Sequence, residues 1–191
     1  WSSDVCSSDL AIQKLVPRAL WWFRWGAMFT FLTGWCMIIG YWHQMGDAYF
    51  ATSRGIIILS GATLATLMWA NVWFVIWPNQ KIVIESATQA AKGGQALPNA
   101  AAAGARALVA SRTNVLFSFT MLFCMGAASH LPIQVAEGAG CTWAIVFGII
   151  CLALEANALK GKTGPLTTVK GVIHSAVGLA VVTYALMEII L

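Results

Sequence analysis

Arg24, Asn71, Glu155 and His174 are the residues whose surroundings make them chemically conspicuous. Each lies inside a long apolar run, where a charged or amide side chain is costly and is a site candidate by default. Counted from the run ends, all four fall roughly 6–9 Å below one common boundary at about 1.5 Å per residue. Four separate runs therefore deliver polar groups to one layer. Asn79, Gln80, Arg112, Asn114 and Asn157 lie just beyond it. Arg24 and Glu155 are the expected ion pair, since each offsets the other's desolvation cost. A neutral histidine beside a carboxylate can shuttle protons or ligate a metal or haem iron, which makes His174 a candidate for either role. His174 shares a helical face with Gly171 and Gly178, and Glu155 shares one with Cys151 and Gly148. Small neighbours suit helix–helix contact, so both are expected to point inward. Plainer roles stand beside these. Arg24 and Glu155 are near enough to the boundary to snorkel. Asn71 can serve as interhelical glue worth about 0.6 kcal/mol, and His174 can be a satisfied interior histidine.

A second set sits at the opposite ends of the runs. His43 lies in GYWHQMGD and His130 in ASHLP. An imidazole at a membrane interface is easily kept wet, which is the plain reading. The sharper one is a pair of haem ligands, or one ligand completed from an upstream helix. The five cysteines (Cys6, Cys36, Cys124, Cys141, Cys151) include no CxxC and no CxxCH, so neither a zinc ribbon nor c-type haem attachment is encoded. The last four read as small hydrophobes. A Gly-rich phosphate loop, a Ser–His–Asp set and paired catalytic carboxylates are all missing from the sequence.

The elements that must position these residues are membrane helices. Apolar residues make up 59% of the chain and charged ones 9%, against about 25% charged in a soluble domain. A bilayer core of about 30 Å needs roughly 20 apolar residues in a helix. Five runs meet that length, at about 19–42, 55–77, 113–131, 139–159 and 168–191. They are continuous and too long for barrel strands, so the expected fold class is an all-α polytopic bundle. The second run is expected to end at WPNQ, residues 77–80. The segment 78–112 then reads as a cytoplasmic loop: a short amphipathic helix stopped at Gly93-Gly94, and an Ala-rich helix beginning after Pro98 with Asn99 as its cap.

Lys and Arg placement sets the orientation. Lys14 and Arg18 precede the first run, Lys81, Lys92, Arg106 and Arg112 lie between the second and third, and Lys160, Lys162 and Lys170 lie between the fourth and fifth. These fall on one side of a five-span zigzag, while the other side holds Arg54, Asp47 and Glu137. The expectation is a cytoplasmic N-terminal end and an external C-terminus at Leu191. This placement accounts for the net charge of +4 without nucleic acid. Trp21, Trp22 and Trp25 at one end of the first run, and Trp35 and Trp42 toward the other, read as interfacial belts. The opening WSSDVCSSDL resembles translated adapter sequence, so residues 1–10 are set aside. An upstream helix is expected to be missing with the true start.

Three stretches carry a family resemblance: WWFRWGAMFTFLTG at 21–34, ANVWFVIWPNQ at 70–80 and RTNVLFSFTMLFCMGAASHLP at 112–132. They resemble the membrane domain of the bacterial membrane-bound urate oxidase (urate hydroxylase) family over about 20–132. The resemblance implies a multi-pass protein of the bacterial inner membrane, involved in oxidising urate to 5-hydroxyisourate in purine breakdown. It also implies electrons leaving to a cytochrome, in many members a cytochrome c domain outside the membrane. This chain holds no such domain, and it has Trp21 and Gly26 where the family often carries His and an acidic residue. Asn71, Asn79, Gln80, Asn114 and His130 are the matched motif positions. On this reading Arg24, Asn71, Asn79, Gln80, Asn114, Glu155 and His174 are substrate-binding candidates, and His130, His43 and His174 are haem or metal candidates. Two other classes compete: a haem-b electron-transfer or assembly subunit without catalysis, and a small transporter, the latter disfavoured by the lack of paired broken helices.

Overall fold

The computed structural model describes residues 15–131 and 133–191. The adapter-like residues 1–10, with Cys6 among them, and Lys14 lie outside these. The described chain is predominantly helical, with no strand. Helix α1 spans Val16–Met45, and a single short turn, α2 (Ala48–Ala51), leads to α3 (Ser53–Ala70). A π-helical segment, Asn71–Ile76, then passes directly into α4 (Trp77–Ala91). Helix α5 runs Ala100–His130, α6 runs Ala139–Lys160, and after a 3-10 turn at Gly164–Thr167 α7 runs Val169–Ile190.

The bundle is an all-α polytopic one, as the apolar runs imply, but among the described residues the helices long and apolar enough to cross a membrane number four and not five. They are Ser53–Ala91, Ala100–His130, Ala139–Lys160 and Val169–Ile190. Helix α1 has 30 residues, ample length for a bilayer. It falls short in apolarity because Arg18, Arg24, Thr30, Thr33 and five tryptophans dilute its aliphatic content.

WPNQ does not end the second run. Residues Ser53–Ala91 form one helix of 39 residues, about 58 Å long at 1.5 Å per residue. That exceeds a hydrocarbon core of about 30 Å, and α4 packs against the first turns of α5 as an antiparallel hairpin. The segment 78–112 holds the two expected helices on either side of a short turn, but each is continuous with a long apolar helix. Gly93, at φ +81°, makes the turn that α4 stops at. Ser86 accepts a hydrogen bond from the Leu97 backbone N–H at 3.0 Å and pins the turn. Asn99 does precede α5, but its side chain makes no cap hydrogen bond. Ala103, Ala107 and Ala110 line the buried side of the hairpin, so the Ala-rich composition serves close approach of two helices.

Helix α5 is the central element, packed against α3, the π segment, α4, α6 and α7. Its buried residues Ala103, Ala107, Ala110, Thr113, Phe117, Thr120, Cys124 and Ala127 recur every three or four residues, the spacing that keeps one seam facing neighbours along two helices. The main core adds Ile57 and Leu64 from α3, Trp143, Phe147 and Cys151 from α6, and Met187 from α7. Within it the Trp143 indole N–H donates to Ser60 Oγ at 2.8 Å, joining α6 to α3. The outward faces of α6 and α7 stay apolar, with Ile145, Ile149, Leu152, Val181 and Ile189 exposed as lipid-facing residues would be.

At the α3–α5 crossing, a Cβ on Gly61 would lie 3.2 Å from Cys124 Cβ, whereas one on Gly34 of α1 would meet nothing within 4 Å. Gly61→Leu is expected to destabilise the bundle by about 1–3 kcal/mol through overpacking. Gly34→Ala is expected to stay within about 0.5 kcal/mol. Thermal unfolding of the detergent-purified protein checks both. Equal midpoints for the two variants would contradict the close crossing.

Candidate functional site

Asn71 sits where α3 becomes π-helical and is 1% exposed. Its side-chain amide donates twice, to Asn114 Oδ1 on α5 and to Glu155 Oε2 on α6, both at 3.0 Å. Asn114 in turn donates to the Met68 carbonyl on α3, also at 3.0 Å. The direction of every bond follows from that carbonyl. Because it can only accept, Asn114 must turn its NH₂ toward Met68 and its oxygen toward Asn71. Asn71 must then present its NH₂, which is free to meet the carboxylate of Glu155 as well. Three helices are thereby tied through one amide. The bond leaves Asn71 Oδ1 buried without a partner, an arrangement that usually costs about 1–3 kcal/mol.

The local backbone is shaped for this. Pro78 has no N–H, and its ring would crowd the carbonyl one turn back in a regular helix. The π turns widen the ladder just ahead of it, and the Trp77 N–H reaches back to the Val72 carbonyl. Asn79 Nδ2 donates to the Val75 carbonyl at 2.7 Å, giving that stretch a donor. The helix thus continues through the proline, and the bulge that allows it begins at Asn71. Such π-bulges are frequent at functional positions.

The expected layer is assembled in part. Asn71 and Glu155 meet, and Asn114, expected just beyond them, joins them. Arg24 does not pair with Glu155. Its guanidinium carbon lies 3.7 Å from the Trp77 ring centroid and 5.1 Å from that of Trp73. Trp73 of the π segment and Trp77 at the start of α4 offer it aromatic faces, while the Glu155 carboxylate is held at Asn71. His174 is exposed, with Nδ1 2.7 Å from the Lys170 carbonyl of its own helix. The face it shares with Gly178 meets no neighbouring helix, since a Cβ there would touch nothing within 4 Å. Small residues alone were an insufficient sign of contact. Gln80 and Asn114 both line a lateral groove of about 1060 Å³ between α1, α3 and α5, walled by Phe31, Trp35, Trp69 and Met121.

His43 closes α1 and His130 closes α5, both exposed. They occupy the same end of the bundle as the α6 N-terminus and Leu191, whose carbonyl accepts from the Ala136 N–H at 2.6 Å. His174 lies toward the other end. Among the described residues no group of three or more His, Cys, Asp or Glu could hold a metal ion. Near His43 the Trp42 indole donates to Asp47 at 2.9 Å, and Tyr49 stacks on Tyr41 at 5.6 Å. Burial pushes the Tyr49 hydroxyl above the usual tyrosine range.

The family model described as urate oxidase N-terminal matches residues 44–159. The chain belongs to that family. No curated protein and no solved structure matches the chain. The urate oxidase N-terminal match contains Asn71, Asn114 and Glu155 together, along with Asn79, Gln80 and His130. Its limits differ from the resemblance seen in the sequence. It begins after the 21–34 stretch and Arg24, and it takes in nearly all of α6, including Glu155.

The network predicts coupling between its members. In a double-mutant cycle, Asn71→Ala and Asn114→Ala should show an interaction of about 0.6–1.7 kcal/mol, the range for hydrogen bonds within membranes. Unfolding in mixed detergent micelles reads this. Additive effects of the two substitutions would contradict a shared hydrogen bond.

Proposed function

We propose that this chain is the membrane part of a urate-oxidising redox protein that serves purine breakdown and passes electrons to a cytochrome. The observation that carries the reading is the family match itself, with the three-helix network inside the matched residues. Conversion of urate to 5-hydroxyisourate adds the elements of water and releases two electrons and two protons. Such chemistry needs groups that hold a purine's N–H and C=O edges, and a carboxylate able to take up a proton. Glu155 offers the carboxylate, Asn114 and Gln80 offer amides at the groove, and Asn71 holds Asn114 and Glu155 in place, with Asn79 on the following turn. Arg24, engaged by two indoles, and His174, on an outer face, are not joined to this network.

In this proposal the Lys- and Arg-rich end is cytoplasmic and receives the substrate, and Leu191 is external, in a bacterial inner membrane. Electrons leave toward the end that holds His43 and His130, to an external cytochrome c. Haem held by either histidine is the cofactor reading that fits this direction. The intact protein in membranes, given urate and oxidised cytochrome c, is expected to consume urate and reduce cytochrome in parallel. Glu155→Gln is expected to lower the rate by about 10²-fold or more, as loss of a positioned proton acceptor does. Urate left unconsumed with acceptor present would refute the reading. An absorption spectrum addresses the haem separately: a Soret band lost in His130→Ala or His43→Ala supports it, and a colourless protein removes it.

A further inference from the structure

We propose that Arg24 and Lys81, gathered around Trp77, form a binding site for a phosphate group, that of an anionic membrane lipid. Arg24 Cζ stands 3.7 Å from the Trp77 ring centroid and Lys81 Nζ 5.7 Å from it. Two cations thus flank one indole. Neither has a carboxylate within ion-pair distance among the described residues, and Arg24 Nε and Trp73 Nε1 are both buried without a hydrogen-bond partner. Cation–π contact compensates part of Arg24's lost hydration, and two positive charges around one indole with no carboxylate beside them favour an anion. The site's height identifies the anion. Trp21, Trp22 and Trp25 cluster on the same end of α1 and are 46%, 72% and 36% exposed, and Trp25 meets Trp73 edge-on at 5.7 Å. Exposed tryptophans collect at headgroup depth, where a lipid phosphate is the abundant anion and a guanidinium fork matches its oxygens. Lys81, one turn beyond Trp77, reaches the same oxygens from the aqueous side.

Native mass spectrometry of the detergent-purified protein tests this with phosphatidylglycerol, phosphatidylcholine and inorganic phosphate as probes. The protein is expected to retain phosphatidylglycerol over phosphatidylcholine. Arg24→Gln and Lys81→Gln should each weaken that retention about fivefold, the worth of one basic residue at an anionic surface. Lys81 is exposed, so its variant reports binding even if Arg24→Gln disturbs the fold. Inorganic phosphate that displaces phosphatidylglycerol, and binds the variants more weakly, would support the phosphate site and assign it a soluble ligand. Retention of phosphatidylglycerol that is unchanged in both variants, or no greater than that of phosphatidylcholine, would overturn the proposal.

Discussion

The Asn71 amide is the constraint on which the arrangement of α3, α5 and α6 at this end of the bundle depends. In an apolar interior, packing alone lets helices slide and rotate, because lipid tails and leucine side chains are equally apolar. A directed amide does not allow that freedom. Asn71 bonds to α5 through Asn114 and to α6 through Glu155, and the Met68 carbonyl fixes which atom faces which. Helix rotation that breaks one of these bonds strands a polar group where water is scarce. The cost falls on the rotated state, so the network selects a register more than it adds to stability. The opposite half has a smaller counterpart in the Trp143–Ser60 bond between α6 and α3.

The second constraint is continuity through Pro78. A proline in the middle of a membrane helix would ordinarily kink or end it. Here the π turns ahead of it absorb the missing donor, and the helix extends to Ala91. One feature therefore has two outcomes. It carries α4 on to form a hairpin with α5, and it begins at the residue that organises the interior.

Much of this was legible in the sequence, for identifiable reasons. Long apolar runs have one fold solution in lipid, so the all-α bundle followed directly, and 139–159 and 168–191 came within a residue or so of the helices observed. Depth counting placed Asn71 and Glu155 at one level because helical rise is constant. Azimuth was harder to read. Depth cannot say which way a side chain faces, so Arg24 and His174 shared the level without sharing the site. Arg24 turned to Trp73 and Trp77, and His174 to a face with no neighbour. The helix through Pro78 was missed because proline is a stop signal locally, and its accommodation depends on a π turn with no sequence signature of its own. The Met68 carbonyl was illegible for a simpler reason: backbone acceptors carry no residue label. Asn114 was visible as a polar residue one step outside the layer, and only the crossing of α3 and α5 brought it in.

The central claim is that one amide touches two partners on two other helices. Solid-state NMR of the lipid-reconstituted protein, with the asparagine side-chain nitrogens and glutamate and asparagine carbons labelled, tests it directly. Through-space transfer from Asn71 Nδ2 should reach both the Asn114 Cγ and the Glu155 Cδ. Transfer to Asn114 without any to Glu155 would leave α6 untied and contradict the account.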